Sequence, residues 1–273
     1  MENKVAIVTG VSSGMGKEIA FELKRRGFKV YGGARRLERM KDLQNQGINI
    51  QYLDITDDDS IVAFVNNIQN KEGRIDVLVN NAGYGSLGAV EDIDIEEVRH
   101  QFEVNVFGLG RITQLVLPIM RKRRSGKIIN TSSMGGMVTT PYGGWYYASK
   151  YAVEGYSDSL RKELTPFGID VILIEPGIIK SEWNIIATDN LKKTLTDSAY
   201  KEEASVYADK LKGMYIKSSA SSPKYIAQII GKAASSNKPK TRYLCGYMAK
   251  ESILLCRLLG DKNYDKLIKK IMC

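Results

Sequence analysis

Short apolar runs alternate with longer amphipathic stretches along most of this chain, and that alternation narrows the possible folds more than any other property it has. The apolar runs lie at 5–9, 29–33, 48–52, 77–80, 127–131, 170–174 and 242–245. Between most of them stand stretches with helical periodicity, at 17–26, 60–70, 96–121, 146–164 and 223–234. A short, continuously apolar run suits a strand buried on both faces, and such strands occur where crossover helices cover a parallel sheet on either side. The pattern predicts an α/β fold: one doubly wound domain over 1–273 with about seven parallel strands and helices on both faces. A chain of 273 residues, 43% of them apolar, has the length and the material for one core of that kind.

The alternation stops after Pro176-Gly177. Residues 178–222 are polar, rich in Lys, Asp and Ser, and carry no strand pattern. A segment that long is usually functional, and it follows the sixth strand at the edge where open α/β sheets bind ligands. It is expected to form a lid rather than a passive surface insertion. Residues 246–273 read as a helical extension in which Tyr264, Leu267, Ile268, Ile271 and Met272 form an apolar stripe. From Lys238 onward nine basic residues face three acidic ones, a surplus of +6 out of the chain's +9. A basic amphipathic helix can rest on an anionic membrane, but docking on the core or on a partner subunit is the commoner origin of such a stripe and is the expectation here.

Several classes of function lack their residues. The single histidine, His100, sits in a polar helical stretch, and Cys245, Cys256 and Cys273 have no CxxC spacing. Zinc sites, iron–sulfur clusters and a Ser-His-Asp hydrolase therefore find no support, and the cysteines fit a reducing compartment. Met1-Glu2-Asn3-Lys4 runs straight into the first strand, leaving no room for a cleaved signal peptide. No apolar run reaches the ~20 residues that a membrane span needs. A cytoplasmic protein is expected, and no nucleic-acid-binding motif is present.

The first strand ends in Thr9-Gly10-Val11-Ser12-Ser13-Gly14-Met15-Gly16, and helical periodicity starts at Lys17. Glycines here permit a tight turn and let the backbone approach a pyrophosphate at the positive end of the helix. A site for NAD commonly places an acidic residue at the end of the second strand, whereas an arginine there accommodates a 2′-phosphate. This chain has Ala34 followed by Arg35 and Arg36, with Ser12 able to add a hydroxyl. NADP(H) is the expected cofactor, with NAD(H) still possible. Further along, Tyr146 and Lys150 stand four apart on one helix face, and Tyr147 lies three before the same lysine. An ammonium draws a phenol's pKa down from near 10, toward useful acid–base chemistry. On spacing alone either tyrosine could be the partner.

The set Thr9–Gly16, Asp54, Asn80-Asn81-Ala82-Gly83, Asn105, Ser133, Tyr146-x-x-x-Lys150 and Pro176-Gly177 resembles the short-chain dehydrogenase/reductase family in order and spacing, over about 3–181. The stretch around Pro176-Gly177 and the C-terminal tail is similar to the branch of retinol and 17β-hydroxysteroid dehydrogenases. The resemblance implies a Rossmann-type fold, a nicotinamide cofactor, and reversible oxidation of an alcohol to a carbonyl without a metal. It makes Tyr146 the acid and base, and has Ser133 bond the reacting oxygen; the neighbouring Ser132 is left to cap local backbone. Lys150 would hold the nicotinamide ribose and lower the pKa of Tyr146, and Asn105 would hold a water that relays protons to Lys150. The turn residues Thr9, Gly10, Ser12, Ser13, Gly14, Met15 and Gly16 would bind the dinucleotide. Asp54 and Ile55 would meet the adenine, and Asn81, Ala82 and Gly83 its ribose. Pro176, Gly177 and Ile179 would pack on the nicotinamide end. Ser181 stands where the family often has threonine and can make the same hydrogen bond.

The pocket wall implied by this arrangement is apolar and aromatic: Tyr84, Met134, Met137, Val138, Tyr142, Trp145, Trp183, Ile185 and Ile186. It suits a small-molecule alcohol or carbonyl that is hydrophobic. The resemblance further suggests a homodimer or homotetramer through the helices at 96–121 and 146–164. The competing reading is a non-catalytic NADP(H) sensor, which would need the cofactor site but not the acid–base residues.

Overall fold

Every apolar run expected to be a strand is one: β1 (Val5–Thr9), β2 (Lys29–Ala34), β3 (Asn49–Tyr52), β4 (Val77–Asn80), β5 (Gly126–Thr131), β6 (Ile169–Pro176) and β7 (Arg242–Cys245). The computed structural model describes residues 4–180, 182–195, 197–216 and 220–272, and for 182–185 the backbone only. Among these residues the strands form a single parallel sheet in the order β3-β2-β1-β4-β5-β6-β7. The order reverses between β1 and β4, so a crevice opens beyond their carboxyl ends, the place where such sheets bind ligands.

Successive strand residues point to opposite faces, and the two faces have separate cores. Ala6 and Val8 of β1 pack with Val79, Ile129 and Ile172 under Ile19 and Leu23 of α1 (Gly14–Arg25) and Ile226 and Ile230 of α9 (Pro223–Ser235). Val5 and Ile7 pack the other way, against Phe64 and Ile68 of α3 (Asp58–Glu72), Ile112 and Val116 of α5 (Gly108–Arg123), and Leu160 of α6 (Gly144–Leu164). The short α2 (Lys41–Asn45) closes the first core with Leu43. Inside the sheet, Asn80 donates to Asn130 Oδ1 at 2.9 Å and to Thr113 at 3.0 Å, and Asn130 donates to Ser157 at 2.9 Å. These bonds fix α5 and α6 to β4 and β5.

One expectation is corrected and two gain detail. The helix expected over 96–121 is divided into α4 (Ile95–Phe102), a π turn (Glu103–Phe107) and α5. At Gly108, where the π turn ends, a Cβ would stand 2.1 Å from the Ile55 carbonyl oxygen, so only glycine lets the helix pass that strand-end loop this closely. The polar segment after β6 holds no named strand among its described residues, in line with its pattern, and folds mostly as α7 (Glu182–Lys193) and α8 (Lys201–Ile216). The C-terminal extension is two helices, α10 (Ala249–Leu259) and α11 (Asp261–Met272), separated at Gly260, whose φ is +67°. The stripe on α11 is docked as expected, with Tyr264 and Met272 buried against α10 and α8. No described helix is long and apolar enough to cross a membrane.

Candidate active site

The turn from β1 into α1 admits only glycine at two points. Gly10 has φ +74°, and a Cβ there would lie 2.9 Å from the Ala82 Cα; one on Gly16 would lie 2.2 Å from the Gly10 carbonyl oxygen. The turn is held against the end of β4 by Thr9, whose Oγ1 accepts from the backbone of Asn81 at 3.0 Å and of Ala82 at 2.9 Å. Asn81 Nδ2 returns a bond to the Thr9 carbonyl at 3.0 Å. The buried Asn81 Oδ1 has no hydrogen-bond partner among the described residues. This turn, with Ser12, Ser13, Gly14 and Met15, forms one end of a cavity of about 630 Å³.

Beside the turn, the end of β2 contributes Arg35 and Arg36 to the same cavity. Arg36 donates from Nη2 to Ser12 Oγ at 3.1 Å, which brings a guanidinium and a hydroxyl together at the cavity edge. Asp54, after β3, accepts from the Thr56 amide at 3.0 Å and the Thr56 hydroxyl at 2.8 Å. Burial opposes its ionisation, but the Thr56 bonds and the nearby Arg35 charge outweigh that and hold the carboxyl below its usual value. Asp54, Ile55, Asn81, Ala82 and Gly83 all line the cavity.

At the centre, the Tyr146 hydroxyl is hydrogen-bonded to Ser133. Ser133 follows β5 and is oriented by the Gly135 amide, which donates to its Oγ at 3.0 Å. Burial pushes Tyr146 up to about 12, partly offset by that Ser133 bond. Lys150 Nζ lies 5.9 Å from the centre of the Tyr146 ring and donates to the Thr131 carbonyl at 3.0 Å. Burial lowers Lys150 to about 8, opposed by the charge of Glu154. Asn105 sits in the π turn. It clasps the Tyr84 backbone through both amide atoms, at 3.0 and 2.8 Å, and also donates to Ser149 Oγ at 3.0 Å. Ser149 in turn donates to the Tyr146 carbonyl at 2.7 Å, so Asn105 braces the helical turn that carries the tyrosine.

The geometry separates the two tyrosines. Tyr147 spends its hydroxyl on Thr140, at 2.6 Å, and Thr140 is also 2.6 Å from the Tyr207 hydroxyl. Ser132 likewise differs from Ser133: its buried Oγ has no hydrogen-bond partner among the described residues, so it does not cap local backbone as expected, and it is not on Tyr146. After β6, Gly177 donates to the Cys245 carbonyl at 2.8 Å, and a Cβ on it would lie 2.1 Å from the Tyr247 oxygen. That contact holds Pro176, Gly177 and Ile179 on the cavity wall. Ser181 lies outside the described residues. His100 is exposed on α4, its ring 5.8 Å from that of Tyr84.

Part of the expected pocket wall is in place: Tyr84, Met134, Val138 and Ile186 line the cavity. Met137, Tyr142 and Trp145 are not among its lining residues. Met137 packs with Ile253 and Tyr264, Tyr142 stands edge-on to Tyr207 at 5.2 Å, and Trp145 donates to the Val90 carbonyl. The side chains of Trp183 and Ile185 lie outside the described residues. The expected lid does line the cavity, but its α8 residues were not the ones named from the sequence, and the contribution of α11 was missed. From α8 come Tyr207, Leu211, Met214 and Tyr215, and from α11 come Tyr264, Ile268, Ile271 and Met272. The stripe already seen on α11 was the available signal.

Comparison with known proteins agrees with this architecture. The family model for short chain dehydrogenases matches residues 4–191. The "Probable short-chain type dehydrogenase/reductase VdlC" of Helicobacter pylori is 39% identical over 268 residues, covering 98% of this chain and 97% of that protein. A 3-ketodihydrosphingosine reductase of Bacteroides thetaiotaomicron is 44% identical over 191 residues, covering 70% and 68% respectively. Retinol dehydrogenase 7 of Rattus norvegicus is 34% identical over 265 residues, covering 92% and 83%. Among solved structures, a short-chain dehydrogenase from Streptomyces avermitilis superposes with a TM-score of 0.77 at 32% identity, covering 93% of this chain and 92% of that one. A metagenomic short-chain oxidoreductase in complex with NADP gives 0.69 at 26% identity, covering 89% and 96%. The chain belongs to the short-chain dehydrogenase/reductase family, oxidoreductases that act on CH–OH groups with a nicotinamide cofactor.

Proposed function

We propose that the protein interconverts a hydrophobic alcohol and its ketone or aldehyde using NADP(H), with Tyr146 as the acid and base. The observation that carries this reading is one cavity holding both the hydrogen-bonded Ser133–Tyr146 pair and the Arg36–Ser12 pair at its far edge. The glycine turn leaves backbone room for a pyrophosphate, and Arg35, Arg36 and Ser12 suit the oxygens of a 2′-phosphate better than a bare hydroxyl. Asp54 and Ile55 would bound the adenine, Asn81–Gly83 its ribose, and Pro176, Gly177 and Ile179 the nicotinamide end. The cofactor, when bound, supplies or accepts the hydride.

The protein's own part is proton handling and positioning. During reduction Tyr146 gives its proton to the substrate oxygen, while Ser133 donates a hydrogen bond that holds that oxygen in place. During oxidation Tyr146 takes the proton back. A phenol at about 12 is too weak an acid alone, and the Lys150 ammonium favours its ionised form as the proton leaves. Lys150 would also hold the nicotinamide ribose hydroxyls. Asn105 keeps the Tyr146 turn and the Tyr84 backbone in register, and a water held there would carry protons on from Lys150.

The substrate end of the cavity is walled by Leu211, Met214, Ile268 and Met272 among aromatic residues, which suits a lipophilic carbonyl. The names of the sphingosine-type and retinol relatives support the same class. On this reading α7 and α8 act as the lid. Outward-facing Phe107 and Tyr151, beside α5 and on α6, support self-association through those helices as a homodimer or homotetramer. The free Cys245 and Cys256 are in keeping with a cytoplasmic setting. The test is cofactor oxidation by the purified protein over ketones and aldehydes graded by chain length, with NADPH and NADH in parallel. NADPH-dependent turnover that improves with apolar length is expected; a preference for NADH, or for short polar carbonyls, would overturn the corresponding part.

A further inference from the structure

The docked stripe of α11 leaves a different surface without a partner. On α10, Leu254, Leu255, Leu258 and Leu259 are 59%, 41%, 73% and 37% exposed. At 3.6 residues per turn they fall on two adjacent rows, opposite the buried Ala249 and Ile253, which face the core. Four neighbouring leucines turned to solvent on one helix form a contiguous apolar patch, a feature that marks an interaction site on a soluble fold.

Charge identifies the occupant. Over α10 and α11 there are six basic residues, Lys250, Arg257, Lys262, Lys266, Lys269 and Lys270, against Glu251, Asp261 and Asp265, a surplus of three. All six are exposed, and Lys250 and Arg257 border the leucine face, with Glu251 at its amino end. Two copies meeting through this face would set like charges against each other. An anionic bilayer offers phosphates to the cations and hydrocarbon to the leucines. The same two helices reach the cavity: α10 through Ser252, and α11 through Ile268 and through Ile271, which lines the cavity while 42% exposed.

We propose that α10 and α11 seat the protein on an anionic membrane surface, with the α10 leucines at the boundary between headgroups and acyl chains. Such a seat would place the cavity beside the phase where lipophilic molecules collect. The binding itself does not depend on which carbonyl the site reduces.

The experiment is sedimentation of the full chain with vesicles of roughly seven parts phosphatidylcholine to three of phosphatidylglycerol, and with phosphatidylcholine alone. Binding to the anionic vesicles, at least tenfold stronger than to neutral ones and weakened by salt, is expected. The variant Leu254→Glu with Leu258→Glu, whose side chains lie outside the cavity, should lose that binding at least tenfold while keeping its circular dichroism and its turnover of water-soluble carbonyls. A tryptophan fluorescence blue shift of Leu258→Trp on adding vesicles would report insertion directly. Absence of binding by the wild type, or binding indifferent to the paired substitution, would overturn the proposal. So would a paired variant that passes from dimer to monomer in light scattering without losing vesicle binding, since the leucines would then belong to a second copy.

Discussion

Tyr146 has a neighbour of identical chemistry, and the two are distinguished by what their hydroxyls touch. Tyr147 is committed to Thr140 and, through it, to Tyr207, whereas Tyr146 meets Ser133 within the cavity. Tyr147→Phe is therefore expected to change the substrate Michaelis constant more than kcat, which steady-state kinetics with NADPH would check. The pH profile follows from Lys150, whose burial lowers it to about 8. Above that pH the ammonium is lost, and with it the charge that assists Tyr146. Reduction, which needs the proton on the Tyr146–Lys150 pair, should decline as pH rises through about 8, while oxidation, which needs the pair deprotonated, should rise. A kcat/KM for reduction that stays flat from neutral pH to well above 8 would contradict the assignment.

The β1–α1 turn shows how much a single element can demand. With a Cβ at Gly16 placed 2.2 Å from the Gly10 carbonyl, Gly16→Ala is expected to destabilise the fold by ~1–3 kcal/mol and to weaken dinucleotide binding further. Urea unfolding with and without NADPH would separate the two effects. This element was legible in the sequence because its constraint is local, a glycine turn between an apolar run and a helical period. The π turn was not, because its surroundings are tertiary: Gly108, where it ends, lies against the Ile55 carbonyl, 53 residues away in the chain. The pocket wall was only half legible for a related reason. Residues just after a strand, such as Tyr84 and Met134, can be placed from strand ends, while Tyr215 and Ile268 reach the cavity through packing of helices that follow no strand alternation. Trp145 and Met137 had the right composition and the wrong direction.

Across the whole molecule, the far edge of the sheet is tied to the catalytic helix by one side chain. Arg242 of β7 bonds Glu154 and Asp158 of α6 and Glu175 of β6. Glu154 and Glu175 are buried, and burial pushes Glu175 above the usual carboxyl value despite the arginine. Removing the cation leaves these carboxylates facing one another. Arg242→Met should cost up to ~3 kcal/mol, less than for a fully buried pair because the guanidinium is partly exposed. The sign of its pH dependence follows from Glu175, whose folded value is already raised: it resists ionisation further without the cation, so the deficit should be smaller near pH 5 and grow as pH rises, as thermal unfolding across pH would show.

The central claim is that one cavity binds NADPH and delivers a proton from Tyr146. The most direct measurement is NADPH oxidation with a long-chain ketone by the wild type and by Tyr146→Phe, with NADPH binding followed separately by fluorescence. The account predicts that the phenylalanine variant binds NADPH as the wild type does and loses turnover by 10²-fold or more, on the order of what general acid catalysis contributes. Turnover retained in that variant, with the same cofactor affinity, would contradict it.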